Sequence, residues 1–317
     1  MRLIVTRTPL RISFFGGGTD LPNWTAGNEG ACLSATIDKF IWLTLRRRPP
    51  HAEGGHLLHL RPENPANQVV SVILSHYGFP DRVEMTCQAD LPPRSGMGTS
   101  SAFTVGFLHA LSALRGEIIS KAELAHQAVL VEQKVLHEFV GSQDQHAASH
   151  GGLNLYRFVG TEVSVQPLPA PRDVMRALND RLLLFDIGPR PCGVTGSSVT
   201  AKYQPKDHHL RTLASMVDSA LRMIAANALD DLGRLLGDAW ELKRELGGIS
   251  DDRIDSAYRK ALTAGALGGK LLGAGLGGHM LIYSPLDRQD GVRESVGLRQ
   301  VPFEFERQGS QILLYAP

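Results

Sequence analysis

Residues 92–102 run Pro-Pro-Arg-Ser-Gly-Met-Gly-Thr-Ser-Ser-Ala, just ahead of an apolar stretch, 103–114, of helical character. Gly96 and Gly98 let the backbone turn N–H groups toward an anion. The following helix adds unpaired N–H groups and the positive end of its dipole. Thr99, Ser100 and Ser101 bring hydroxyls able to cap that helix or meet a metal ion. This chemistry suits a polyphosphate, with Mg²⁺ beside it. No Gly-Lys-Ser/Thr follows the first glycine, so the segment is not a Walker loop.

Two other glycine clusters stand out. Gly16-Gly17-Gly18-Thr19-Asp20 follows Arg11, placing a cation and a carboxylate on either side of a turn that could approach a ligand closely. A plain glycine turn with an Asp cap explains the segment equally well. Residues 272–278, Leu-Gly-Ala-Gly-Leu-Gly-Gly, hold more glycine than a hairpin needs and read as a loop closing over a nucleotide. Glu132 lies inside a helical pattern, and Asp144 falls in Gly-Ser-Gln-Asp-Gln-His just beyond it. Near a phosphate site, two carboxylates suit metal ligation and proton acceptance. Taken alone, Glu132 is a solvated helix charge and Asp144 a turn residue. His146 and His150 have ligand spacing but lack a third partner nearby, so zinc is not expected.

The elements that must position these groups are readable in outline. Strands are expected at 3–6, 41–45, 83–87, 151–156 and 162–166, with a short one at 57–60 inside an irregular excursion. One helix spans 101–114. A second opens on the capping box Ser120-x-x-Glu123 and runs toward Phe139. Beyond a strand at 181–186, residues 190–206 read as a mobile loop. Helices at 208–227, 229–246 and 253–264 follow, with strands at 270–272, 280–283, 301–305 and 312–315. Helices and strands interleave without regular βαβ alternation, which indicates an α+β fold. The proline-rich segment 167–171 suggests domains of 1–172 and 173–317.

Composition narrows the function. The chain has 317 residues, 43% of them hydrophobic, enough for a substantial core. Lys plus Arg number 33 against 32 Asp plus Glu, so no net field draws the chain to nucleic acid or a membrane surface. Arg46-Arg47-Arg48 is too short, and without interleaved aromatics, to change that. Three scattered cysteines argue against a disulfide framework, and the first residues carry no signal-peptide pattern, so a cytoplasmic protein is expected.

The three glycine motifs, in this order, resemble the GHMP kinase family (galactokinase, homoserine kinase, mevalonate kinase and phosphomevalonate kinase). Pro92-x-x-x-Gly96-Met97-Gly98-Thr99-Ser100-Ser101 is similar to its phosphate loop, residues 9–20 to its substrate motif and 272–278 to its C-terminal glycine motif. The segments 8–20, 141–145 and 264–272, and the ending 301–311, resemble family members that act on D-glycero-D-manno-heptose 7-phosphate. Leu276 stands where a glycine is usual, and the segment 188–194 is unlike the expected Ser/Arg-rich substrate loop.

The resemblance implies a ribosomal S5 domain 2-like N-terminal domain, a ferredoxin-like C-terminal domain and an active site between them. It implies a sugar-1-kinase using ATP and Mg²⁺ on a sugar phosphate, with a homodimer among its allowed assemblies. Pro92, Arg94, Ser95, Gly96, Met97, Gly98, Thr99, Ser100 and Ser101 would bind the nucleotide phosphates, and Ser100 with Glu132 the Mg²⁺. Asp144 would accept or orient the hydroxyl proton, with Arg11 screening charge beside it or binding a substrate phosphate. Gly17, Gly18, Thr19, Asp20, Gly275 and Gly277 would line the acceptor. Arg190 and Lys202 are candidates for a remote phosphate, although solvated charges are the plainer reading. Fucose- or galactose-type acceptors, a decarboxylase of the mevalonate branch and a non-catalytic nucleotide binder are the rival readings.

Overall fold

A computed structural model of the chain describes residues 3–48, 57–59, 66–79, 82–202, 206–245 and 247–316. The first half contains β1 (Leu3–Phe15), α1 (Pro22–Thr25), β2 (Glu29–Arg47), β3 (Leu57–His59), α2 (Ala66–His76), β4 (Val83–Ala89) and α3 (Thr99–Arg115). It continues with α4 (Lys121–Leu130), a π-helical turn (Val131–Val135), α5 (Gln143–His150), β5 (Leu153–Val159) and β6 (Glu162–Pro167). The second half contains α6 (Arg172–Asp180), β7 (Leu182–Gly188), α7 (Gly196–Lys202), α8 (Asp207–Ala225), α9 (Leu229–Glu245) and α10 (Asp252–Thr263). It ends with β8 (Gly268–Leu271), β9 (Gly278–Tyr283), α11 (Gln289–Val296) and β10 (Gln311–Ala316).

Seven strands form one sheet, in the order β10-β1-β2-β4-β3, with β5 pairing β2 and β6 pairing β5. The long strand β2 takes β4 along 41–47 and β5 along 29–35, so one strand carries two sheet regions. A second sheet has the order β7-β9-β8 and is antiparallel. The expected α+β class is therefore observed. The last strand, far beyond residue 172 in sequence, returns to pair with β1 in the first sheet.

Burial follows strand periodicity. In β1, burial alternates from Leu3 to Arg7 and is then continuous from Thr8 to Phe15, where the strand is covered on both faces. In β7, Leu182 and Leu184 join a large core shared with β1, β2, α3, α8 and α9, while Leu183 and Phe185 face a smaller core with Trp240, Ile254 and Tyr258. The helix α3 is buried nearly all round, and its Gly106 lets it lie against β1: a Cβ there would come within 2.7 Å of Thr8 Oγ1.

Three local expectations need revision. The helix from Ser120 is capped as expected, Ser120 Oγ accepting from Glu123 N at 3.1 Å, but its α-geometry ends at Leu130 and a π turn follows. The stretch read as a mobile loop holds α7. No strand forms at 301–305, because this segment bonds to both sheets in succession: Val301 N donates to Leu184 O, and Asp38 N donates to Glu304 O. Pro302 also lacks the N–H a ladder would use. The expected strand at 57–60 is β3, its last residue lying outside the described residues.

A half-buried histidine, His109, and a buried one, His146, link this packing to pH. His109 of α3 meets Ser310 Oγ at 3.0 Å, and Ser310 Oγ meets Thr8 Oγ1 at 2.8 Å, tying the approach to β10 onto β1. Burial pushes the pKa of His109 down to about 4, and burial likewise lowers that of His146 to about 4. Both stay neutral in the folded chain while the unfolded chain protonates at an ordinary value of about 6.5. Their contribution to stability is complete above that value and is lost as pH falls toward 4. Denaturant unfolding should show stability falling across this window, and replacing His109 by Gln should flatten the fall.

Candidate active site

The site begins in the connection between β4 and α3. Arg94, Gly96 and Gly98 all adopt left-handed φ, at 65°, 77° and 71°. Alternation of this kind turns successive N–H groups to one side and makes an anion cradle, which opens onto the N-terminus of α3. Met97 is fully buried and anchors the loop in the core, whereas Pro92, Arg94 and Ser100 are exposed. Ser95 is buried, and its Oγ lies 2.7 Å from Thr99 Oγ1.

Beneath this loop lies the pair Arg11–Asp144. Arg11 Nε donates to Asp144 Oδ1 at 2.8 Å and Nη2 to Oδ2 at 2.6 Å, a two-pronged contact. The remaining terminal nitrogen, Nη1, donates to Gly96 O at 2.8 Å, and Arg11 N donates to Met97 O at 3.1 Å. One residue of β1 thus holds both the carboxylate and the loop. Gly98 leaves the space between them clear: a Cβ there would lie 3.4 Å from Arg11 Cγ and 3.4 Å from Asp144 Oδ2. Asp144 is in the first turn of α5 with its side chain 28% exposed, so it can be reached from the cleft.

Glu132 is not a solvated helix charge. The π turn directs it inward, where it is 1% exposed. Wide turns of this kind often mark functional positions. Its Oε2 accepts from Ser101 Oγ at 2.9 Å and from Gln145 Nε2, while Oε1 is buried with no partner. Burial raises its pKa to about 7. An unmet carboxylate oxygen beside a hydroxyl, at the mouth of a phosphate cradle, fits a hard cation such as Mg²⁺. Among the described residues no group of three or more His, Cys, Asp or Glu is placed to hold a metal ion. The hydroxyl hydrogen-bonded to Glu132 belongs to Ser101, and Ser100 is exposed in the first turn of α3.

The glycine turn after β1 builds the opposite wall. Asp20 is buried, with Oδ1 accepting from Gly18 N at 3.1 Å and Oδ2 from Gln143 N at 3.2 Å. Burial, and then the neighbouring Asp144, raise its pKa. Thr19, expected among the acceptor contacts, is instead a clip. Its hydroxyl donates toward Gly16 O or Ala31 O and accepts from Ala31 N, and the side chain is fully buried. Gly17 and Gly18 remain in this wall.

The C-terminal glycine loop packs against the phosphate cradle. Gly278 lies so near Ser95 O that a Cβ would come within 2.5 Å, and Gly273 would meet Gly96 Cα at 2.7 Å. His279 Nδ1 lies 2.8 Å from Ser95 O. The loop therefore backs the phosphate cradle from behind. Gly275 and Gly277 abut Ile249 and the Pro189–Arg190 backbone, so protein packing accounts for them. Arg190 is buried, its Nε donating to Gly275 O at 2.7 Å, and Lys202 is exposed at the end of α7.

Sequence reasoning passed over four residues that join the site. Ser13 Oγ and the side chain of Gln143 exchange hydrogen bonds at 3.0 and 3.2 Å, and Gln145 supports Glu132. The polar run Gln143-Asp144-Gln145, opening a helix, was the available signal for the two glutamines. Lys270 of β8 is buried and donates to Phe14 O at 3.0 Å.

Comparison with known proteins agrees with this geometry. The family description "GHMP kinases N terminal domain" matches residues 64–152, and "GHMP kinases C terminal" matches 220–300. The chain belongs to the GHMP kinase family, and it is a phosphotransferase with an alcohol group as acceptor, a sugar kinase. It is 28% identical to D-glycero-alpha-D-manno-heptose 7-phosphate kinase of Campylobacter jejuni, over 89% of this chain and 90% of that one. It is 29% identical to L-fucokinase/L-fucose-1-P guanylyltransferase of Bacteroides fragilis, over 92% of this chain and 35% of that one. The crystal structure of a D-glycero-D-manno-heptose 1-phosphate kinase from Bacteroides thetaiotaomicron superposes with a TM-score of 0.79 and 22% identity, over 99% of this chain and all of that one. No helix among the described residues is long and apolar enough to cross a membrane.

The two hydroxyls can be told apart by substitution. Ser101→Ala removes a bond to a buried carboxylate and should lower turnover by roughly 10–100-fold, the effect of losing one charge-assisted bond. Ser100→Ala should stay within about threefold of the parent. Steady-state kinase assays of the two variants check this order.

Proposed function

We propose that this kinase transfers the γ-phosphoryl group of ATP, with Mg²⁺, to the anomeric C1 hydroxyl of D-glycero-D-manno-heptose 7-phosphate. The product is the 1,7-bisphosphate, a precursor of nucleotide-activated heptose. The observation that carries the chemistry is Asp144, gripped by Arg11 and facing Gly98 at the base of the phosphate cradle. The acceptor assignment leans on the likeness to the Campylobacter heptose 7-phosphate kinase along most of both chains. Residues 1–172 would then supply the cradle and the proton acceptor, and 173–317 the backing loop and part of the acceptor wall.

Phosphoryl transfer needs positioning and charge neutralisation more than covalent help. Backbone N–H groups of 95–101 hold phosphate oxygens at the start of α3. Ser101 and Glu132 would hold Mg²⁺, which when bound neutralises charge on the phosphates. Asp144 accepts or orients the C1 hydroxyl proton. An anomeric hydroxyl is the most acidic on a sugar, so a modest base suffices. Asp20 holds acceptor hydroxyls from the opposite wall. The second reading is a fucose-type acceptor, favoured by the likeness to the Bacteroides fragilis protein.

ADP release against a panel of free and phosphorylated sugars, with phosphorus NMR of the product, decides between them. Turnover selective for the heptose 7-phosphate, with a new anomeric phosphate signal, is expected. Selective turnover of fucose or galactose would replace the acceptor and keep the chemistry.

A further inference from the structure

The helix α9 carries an apolar stripe at helical spacing: Leu229, Leu232, Leu236, Ala239 and Trp240 are all buried. The next position on that stripe is Lys243, so the helix aims an ammonium group where a hydrophobic side chain would be expected. It arrives at the glycine turn of the acceptor wall. A Cβ added to Gly17 would lie 3.2 Å from Lys243 Nζ and 3.6 Å from Ser13 Oγ.

The groups around this ammonium are mostly spoken for. Arg11 spends its donors on Asp144 and Gly96 O, and Lys270 donates to Phe14 O. Asp20 accepts from two backbone N–H groups, and the buried Cys32 thiol has its pKa raised well above the ordinary value, first by burial and then by Asp20. Burial, and after it the charge of Lys243, push the pKa of Lys270 well down. Lys243 itself makes no hydrogen bond or ion pair with any described residue; burial lowers its pKa, and Cys32 and Asp20 act on it only through space. Three cationic side chains, Arg11, Lys243 and Lys270, therefore face two carboxylates, Asp20 and Asp144, so positive charge exceeds negative by one. A half-buried ammonium with no hydrogen-bonded anion is costly unless a ligand supplies one.

We infer that Lys243 is the specificity residue that recognises an anionic group on the acceptor, a phosphate monoester, at the Gly17 side of the pocket. This rests on the sugar-kinase reading above and adds the residue that makes a phosphorylated acceptor preferred. The position lies on the acceptor wall, whereas the nucleotide phosphates belong to 95–101 in the cradle. Of the two cations that the sequence offered for a remote phosphate, Arg190 gives its Nε to Gly275 O and Lys202 lies in solvent.

The test compares the parent, Lys243→Met and Lys243→Arg on D-glycero-D-manno-heptose 7-phosphate and on the free heptose. Lys243→Met should raise KM for the phosphate roughly 10²-fold, the effect of removing one partner of a desolvated charge pair, with kcat and the KM for ATP little changed. The ratio of kcat/KM for the two acceptors should collapse, and Lys243→Arg should restore most of it. An equal loss on both acceptors, a fall in kcat alone, or an unchanged ratio would overturn the assignment while leaving the heptose reading intact. If the parent prefers a different phosphorylated sugar, the heptose reading fails and the same comparison on that sugar and its free form tests Lys243. A parent that turns over only uncharged sugars would overturn both.

Discussion

The constraint on which the site depends is the contact of Arg11 with Asp144. It joins three pieces of chain that are far apart in sequence: β1, the cradle through Gly96 and Met97, and the start of α5. A buried guanidinium is costly unless every prong finds an acceptor, and here each donor that reaches inward has one. The pair therefore fixes where the loop lies relative to the carboxylate. Gly98 suits this place because its φ of 71° is a conformation that a side chain would strain.

Backbone packing completes the arrangement. The cradle is pressed from behind by 273–279, where Gly273 lies against Gly96 and Gly278 against Ser95. The left-handed φ values of Gly273 and Gly278, 78° and 103°, are conformations that a side chain would strain. His279 adds a contact to Ser95 O, with Nδ1 as the donor because a carbonyl can only accept. Its Nε2 is buried without a partner. The same need for close approach recurs at Gly141, where a Cβ would meet Asp20 Oδ2 at 1.8 Å. Glycine is demanded at these places by neighbouring protein.

Much of this was legible in the chain. The cradle, its helix, the cap at Ser120 and the candidacy of Asp144 followed from residue type and spacing, and the ordered motifs pointed to the family. The misses have physical causes. Ser100 and Ser101 are adjacent and chemically alike, and only the helical phase of α3 decides which one meets Glu132. Glu132 itself turned inward through a π turn, and no apolar period reveals one extra residue in a helical turn. Thr19 looked like a ligand group because its hydroxyl is typed as free, whereas the fold spends it on Gly16 and Ala31. Residues 301–305 are rich in strand formers, yet they bridge two sheets and so build no ladder with either.

The central claim is that Asp144 works on the acceptor proton from a position set by Arg11, while the cradle alone holds the nucleotide. Asp144→Asn keeps the outline of the side chain, removes its basicity and gives up one of the two acceptors that face Arg11, so retained nucleotide affinity is the check that the cradle still stands. Turnover and nucleotide affinity, measured on this one variant, test the claim most directly. Turnover should fall by about 10²–10⁴-fold, the usual worth of a general base, with nucleotide affinity retained. Turnover within a few-fold of the parent would contradict it.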